Sequence, residues 1–392
     1  MAARYWVGGG SSANWNATGN TNWSATSGGA GNASVPGASD DVYFDGAGAS
    51  GNTASTVSVG LTINTLTFTA GYTVNVTCNG SIQIQGTVFT DNSAHGWSGT
   101  GNIQFLGSIT VTSNGKIMPL PIFLSTPTGT HTITLVGDWT LTGNFAIGSL
   151  GTKILNKTTT EVLYLGNGLN GTGGASGTLD IVLTGGTWNG SGAILGCNLT
   201  LQGNITASST IGFGGGKTLL YSSGTITTTG STMTLTSCTI NTPGITWNTL
   251  QVASPNQTFT LSALLQATRF QNNGDGAAGV IFTGTYGFTV ATFSWTVPSA
   301  ATISFKESLT YTVTTSLSCF SSRVGSIIVF TSAHASTKAI ITLQNGASCN
   351  CLASFTRIDA SGGRPIRTFF GTITDCVNIE RCDDLFTVAS AA

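Results

Sequence analysis

The chain has 392 residues, only 7% of them Asp, Glu, Lys or Arg, and a formal net charge of −1. With neither a basic face nor a basic run, nucleic acid and anionic membrane surfaces are not expected partners. Residues 327–330 are typical of its apolar stretches, far too short to cross a bilayer. Yet 40% of the residues are hydrophobic, enough Val, Ile, Leu and Phe to build a core rather than a disordered coil.

Three textures follow one another along the chain. Residues 1–48 are rich in Gly, Asn and Trp and read as an ordered but irregular N-terminal segment. Residues 49–300 repeat a single theme, four to eight residues of apolar side chains alternating with Thr, then a turn of Gly, Asn or Ser. Leu61-Thr-Ile-Asn-Thr-Leu-Thr-Phe-Thr69, Thr132-Ile-Thr-Leu-Val136 and Thr232-Met-Thr-Leu-Thr236 are examples. A period of two puts the apolar residues on one face of a strand and leaves Thr, a good strand former, on the other. No segment keeps the spacing of an amphipathic helix; the nearest, Leu261-Ser-Ala-Leu-Leu-Gln-Ala-Thr268, reads as one helical turn at most. Residues 301–392 hold the densest charge and five of the eight cysteines, and read as a C-terminal capping or interaction unit.

Strands recurring at intervals of roughly 16 to 25 residues predict a β-solenoid, in which no coil buries its own apolar face and each stacks on its neighbours. The expected architecture is therefore all-β: a parallel β-helix-like rod with an N-terminal Trp-rich cap and a C-terminal β unit. No fixed motif repeats, so tandem β-sandwiches stand as the alternative. In the cap, Trp6, Trp15 and Trp23 cover the apolar edge of the first coil, Pro36 sets an extended approach, and Asp40 and Asp41 bond loop amides before the strand Val42-Tyr-Phe.

The opening motifs, Trp6-Val-Gly-Gly, Asn14-Trp-Asn, Asn22-Trp-Ser24, Val35-Pro36 and Asp40-Asp-Val-Tyr-Phe-Asp45, resemble a start found on β-helical bacteriophage appendage proteins and on autotransporter-like adhesins. Near the C-terminus, Thr310-Tyr-Thr-Val, Ile328-Val-Phe-Thr-Ser332 and Phe355-Thr-Arg-Ile-Asp-Ala-Ser-Gly-Gly363 resemble the β unit that closes many such proteins. The resemblance implies a structural component of a virion, a tail fibre, appendage or capsid decoration. It also implies homo-oligomers, trimers being usual, and contacts with other virion proteins or a host surface glycan. No apolar signal segment follows Met1, and the cysteines are scattered rather than framed, which suits a chain folded in the host cytoplasm and released by lysis. A bacterial surface adhesin or extracellular filament subunit is the second reading, a polysaccharide-degrading tailspike the third.

No motif carries chemistry that would make the chain an enzyme, and no cofactor or metal is expected. Gly166-Asn-Gly-Leu-Asn-Gly171 matches a dinucleotide fingerprint in letters, but Thr-Gly-Gly-Ala-Ser-Gly follows where a helix must start, so a turn is expected. Gly212-Phe-Gly-Gly-Gly-Lys-Thr218 lacks the first glycine of a phosphate loop, since Ile211 stands there. Cys349-Asn-Cys351, with Cys376, Cys382 and His334, is the one metal-like group. Its i, i+2 thiols on a strand are expected about 6.5–7 Å apart, too far to share a zinc. Buried thiols are the first reading and a disulfide the next.

The acids of the middle region, Asp91, Asp138, Glu161, Asp180 and Asp275, are not expected to stand one coil apart, as a glycan-cleaving pair requires. Asp45, Asp359 with Asp375, and Glu380 with Asp383 and Asp384 are the other acidic groups, and Arg364 and Arg367 are expected to pair with nearby acids. His95, His131 and His334 stand in ordinary strand or turn surroundings with no sign of a nucleophilic triad. Sequons such as those at Asn16, Asn75, Asn156 and Asn198 follow from the abundance of Asn and Thr.

Overall fold

The computed structural model describes residues 1–381 except 18, 20–21, 49, 126–127, 149–151, 172–174, 273–278, 299, 322–326, 346 and 369–372. Among these the chain is all-β without a helix, and its strands stack in parallel as a β-solenoid. Tandem sandwiches, which need antiparallel strands, do not describe it. The segment 261–268 is extended as well: strand Gln257–Leu261 gives way to a bend and then to strand Leu265–Asn272, because Leu265 and Ala267 are both buried in the alternating pattern of a strand. Asp275, Cys382, Asp383 and Asp384 lie outside the described residues.

Two compact units divide the chain, Met1–Thr206 with Ser222–Thr225, and Ala207–Tyr221 with Ile226–Ala392. In the first, short strands bury alternate residues, as in Asp41–Phe44, Thr65–Phe68 and Asn102–Phe105. In-register pairing then places like residue over like. Val42, Leu66, Phe89, Val111 and Leu135 form one inward column, each 22 to 24 residues after the last. On a second sheet the column is Leu61, Ile82, Ile103, Ile122, Phe145, Leu169 and Trp188. A third carries Met118, Leu141, Leu165 and Leu183. Each fully buried side chain of this kind contributes about 1.5–3 kcal/mol, and only the neighbouring coils make that burial possible.

Gly168–Gly171 is a rung of the second sheet, paired on both sides, and not the turn its glycines suggest. The reason is backbone packing. Gly168 has φ +108°, and a Cβ there would meet the Thr187 carbonyl oxygen at 2.3 Å. Only glycine lets the coils close at that point.

The second unit repeats the scheme with a more aromatic interior. One column runs Ile211, Met233, Leu250, Phe270, Phe293, Leu317 and Cys349. On the facing sheet Val280, Ile303, Phe330, Phe355 and Ile373 are in register. Phe282–Phe305, Phe305–Phe330 and Phe330–Phe355 stack at 5.6, 5.8 and 5.0 Å. Gly212–Thr218 falls in this unit as strand, turn and strand, with Gly215 and Gly216 at φ +70° and +75°.

Candidate functional site

So few charges invite the question of where they stand. Between residues 46 and 206 the charged residues are Asp91, Lys116, Asp138, Lys153, Lys157, Glu161 and Asp180. All but Lys153 stand where the first sheet hands over to the third, on five successive coils, with Lys157 and Glu161 sharing one. From Asp91 to Lys116, Asp138 and Lys157 the sign alternates coil by coil. In a parallel stack that order sets Lys116 and Asp138 each between opposite neighbours, whereas like charges in register repel.

The deepest of these groups is Asp91, at the end of strand Val88–Asp91, with its side chain fully buried. Its Oδ2 accepts the Trp97 indole N–H at 2.7 Å. Its Oδ1 has no well-formed hydrogen bond, and lies 3.5 Å from Lys116 Nζ and 3.4 Å from His95 Nδ1. Lys116, one coil on, donates to the Ser93 carbonyl at 3.0 Å and to the His95 carbonyl. His95 is stacked on Phe68 at 4.2 Å between Tyr72 and Trp97. Burial raises the Asp91 carboxyl to about 6, opposed by the Lys116 charge and the Trp97 hydrogen bond. Burial, helped by the Lys116 charge, lowers His95 to about 3, so its ring is neutral at pH 7. An open cleft of about 520 Å³ borders the group, lined by residues 91–95 and 113–117.

Ser93, His95 and Asp91 thus meet, which their sequence surroundings did not suggest. They do not form a relay: the Ser93 hydroxyl and Asp91 both face Nδ1, while Nε2 is buried without a partner. A nucleophilic triad needs the serine on one ring nitrogen and the acid on the other.

The acids Asp138, Glu161 and Asp180 do stand on consecutive coils, a correction to the spacing expected of them. Strand Trp139–Leu141 pairs with Val162–Leu165, and Val162 pairs with Asp180. Unequal coil lengths hide this alignment in the sequence. Their carboxylates are engaged internally. Asp138 Oδ1 accepts the Val162 N–H at 2.9 Å, and Asp180 Oδ2 meets Lys157 Nζ at 2.5 Å. Glu161 accepts hydrogen bonds from the Thr158 hydroxyl and, at 2.6 Å, the Thr159 N–H, which lower it to about 2. A carboxyl held that low carries no proton to give a leaving group.

At the N-terminus Trp6, Trp15 and Trp23 are buried around Phe44, at centroid distances of 5.6, 4.9 and 5.7 Å. Strand Trp23–Ser24 runs antiparallel to Ala3–Trp6, against the parallel sense of the stack. Pro36 is buried in the loop that follows. Asp40 accepts the Gly37 N–H at 3.0 Å and lies 3.6 Å from Arg4; Asp41 accepts from Asn64 and Thr65 at 2.7 and 2.8 Å.

In the second unit Cys349 and Cys351 lean along their strand until their sulfurs are 4.0 Å apart, closer than strand spacing alone allows. The hydrogen bond to Cys351, then burial, pushes the Cys349 thiol up. No group of three or more His, Cys, Asp or Glu suited to a metal occurs among the described residues. Asp375 pairs with Lys338 at 3.1 Å, and Asp359 accepts the Ser361 N–H at 2.8 Å. Arg367 meets Glu380 at 3.1 Å, whereas Arg364 donates to the Ala347 carbonyl rather than to an acid. No protein-family model, no curated protein and no solved structure matches this chain.

Proposed function

We propose that the chain is a structural component of a bacteriophage virion, a tail fibre, appendage or capsid decoration, that offers a multivalent surface for assembly or host attachment. The observation that carries this reading is the regular exterior of the strands, polar but with few charges. In the first unit Tyr5, Tyr43, Thr67, Thr90 and Thr112 form one outward ladder. Thr62, Gln83 and Gln104 form another, bonded side chain to side chain at 2.9 and 3.3 Å. In the second unit Thr239, Thr260 and Thr283 are in register, the last two 3.0 Å apart at their hydroxyls.

Ladders of this kind repeat one weak contact at every coil. Binding then sums over copies rather than concentrating in a pocket. Copies of the chain, neighbouring virion proteins and the hydroxyls of a surface glycan all suit such a face.

The test is to purify particles by density gradient and search them for peptides of this chain. Peptides that co-purify with capsid and tail proteins, and a recombinant chain that sediments as a homo-oligomer, are expected. Peptides found only in the bacterial envelope, and absent from particles, would overturn the reading in favour of an adhesin. Release of new sugar ends from host polysaccharide by the purified chain would overturn it in favour of a tailspike.

A further inference from the structure

We propose that Asp91 and Lys116 condense into an intramolecular isopeptide bond, a covalent link between two successive coils of the first unit. Lys116 Nζ lies 3.5 Å from Asp91 Oδ1, on the carboxyl group whose carbon it would attack, and the carboxylate is fully buried beside Trp97 and His95, whose ring packs against Phe68 and Tyr72. The two carboxylate oxygens have different surroundings. Oδ2 is held by the Trp97 N–H, the position of an oxygen that stays behind as the amide carbonyl and needs a donor as charge builds on it. Oδ1, without a well-formed hydrogen bond, faces both the amine and His95 Nδ1.

The step balances without an oxidant or a co-reactant. The Lys116 ammonium gives one proton to the Asp91 carboxylate, leaving a neutral amine beside a neutral acid. Burial lowers the cost of that exchange on the side of the acid, since it raises the carboxyl to about 6. The Nζ lone pair then forms the new bond to Cγ, and the Cγ–Oδ1 bond breaks. Oδ1 departs as water with two of the three hydrogens that the ammonium brought, and the third remains on the amide nitrogen. Neutral His95, whose Nδ1 also contacts the Ser93 hydroxyl, passes the proton to the leaving oxygen. The adjoining cleft gives the water its exit.

Condensation also removes an energetic cost. A buried ion pair is held against the desolvation of both charges, and an amide carries neither. The other lysine–aspartate pair of this corner, Lys157 and Asp180, is closer at 2.5 Å, but the Asp180 side chain is 37% exposed. Water stabilises those ions, and that pair stays ionic.

The experiment is the intact mass of the full chain, measured denatured. The wild type is expected to be lighter than its sequence by one water, and a proteolytic digest to contain one branched peptide joining Asp91 to Lys116. Lys116→Arg keeps the positive charge, cannot form the amide, and is expected at full mass. A wild-type chain at full mass overturns the proposal. So does a deficit that maps elsewhere, such as a succinimide at Asp91-Asn92. Both measurements are made on the denatured wild type, so the outcome does not depend on whether the variant folds.

Discussion

Trp6 and Phe44 occupy the same position on consecutive rungs, their rings stacked 5.6 Å apart. Trp6 therefore belongs to the parallel column, and Trp23, edge-on to it at 5.2 Å, arrives on the antiparallel strand. An antiparallel strand at this edge does not continue the parallel pattern, and an edge covered in that way is expected not to template another chain. We expect Trp6→Ala to cost about 3–5 kcal/mol and to favour association through the opened end. Urea unfolding and light scattering read both. A variant that is monodisperse and as stable as the wild type would show that the indoles cap nothing.

A glycine in a strand usually weakens it, and Gly168 is the reverse case. At φ +108°, with the Thr187 carbonyl oxygen where a Cβ would stand, Gly168→Ala must open the rung. The expected loss is at least about 1–2 kcal/mol, the cost of a left-handed conformation plus the clash. Gly216, at φ +75° with open space around it, is the comparison, and Gly216→Ala should lose only the conformational part. Equal losses from the two substitutions would refute the close-approach argument.

How much of this was legible in the letters depends on which neighbour a feature needs. Thr232-Met-Thr-Leu announces its own strand, because alternation is local and Met233 and Leu235 are both buried. Register is not local. Met233 meets Leu250 17 residues on, whereas Leu317 meets Cys349 32 residues on, so no fixed period marks the coils. The same irregularity hid the meeting of Lys116 with Asp91 and the alignment of Asp138, Glu161 and Asp180. Gly168 misled because its glycines signal a turn, while the need for them comes from a backbone one coil away.

The outward ladder Thr67, Thr90, Thr112 offers a direct test of why the sheets avoid charge. Thr90→Lys and Thr112→Lys, each alone, should be tolerated. Together they place two ammonium groups on adjacent strands about 4.8 Å apart and should lose up to about 1 kcal/mol beyond the sum of the singles. That excess should shrink in high salt, which screens exposed charges. An additive double variant, indifferent to salt, would mean that charge is absent from this face for reasons of partner contact alone.

Thiol chemistry should sort by burial. Cys78, Cys197, Cys238, Cys319 and Cys351 are buried, and burial pushes Cys78 and Cys238 up to about 12. Cys349 is partly exposed, but its thiol is tied to Cys351. Cys376, also partly exposed and set in the turn between strands Ile373–Thr374 and Ile379–Arg381, should be labelled by a maleimide in the native state before the other described cysteines. Site-resolved labelling that finds Cys238 modified as fast as Cys376 would contradict the packing described for the second unit.

Acid should weaken the first unit through His95. Its pKa falls from 6.5 in the unfolded chain to about 3 in the fold, so between those values the unfolded state binds the extra proton. The stability this provides is complete above pH 6.5 and is lost as the pH falls toward 3. At 1.36 kcal/mol per unit the full effect is on the order of 4–5 kcal/mol. A free Asp91 carboxyl acts in the opposite sense. Raised to about 6, it contributes stability below pH 4 that disappears as the pH rises through 6, and so flattens the acid limb between those values. An Asp91 bound to Lys116 as an amide has no proton to exchange and takes the Lys116 charge away as well, so that the His95 slope then stands alone on burial, the larger of its two causes. Urea midpoints from pH 4 to 7 should accordingly fall steadily with acid in the wild type, while His95→Gln should remove the fall. A wild-type midpoint that is level across this range would mean that His95 titrates in the fold as it does in the unfolded chain, or that Asp91 retains its carboxyl.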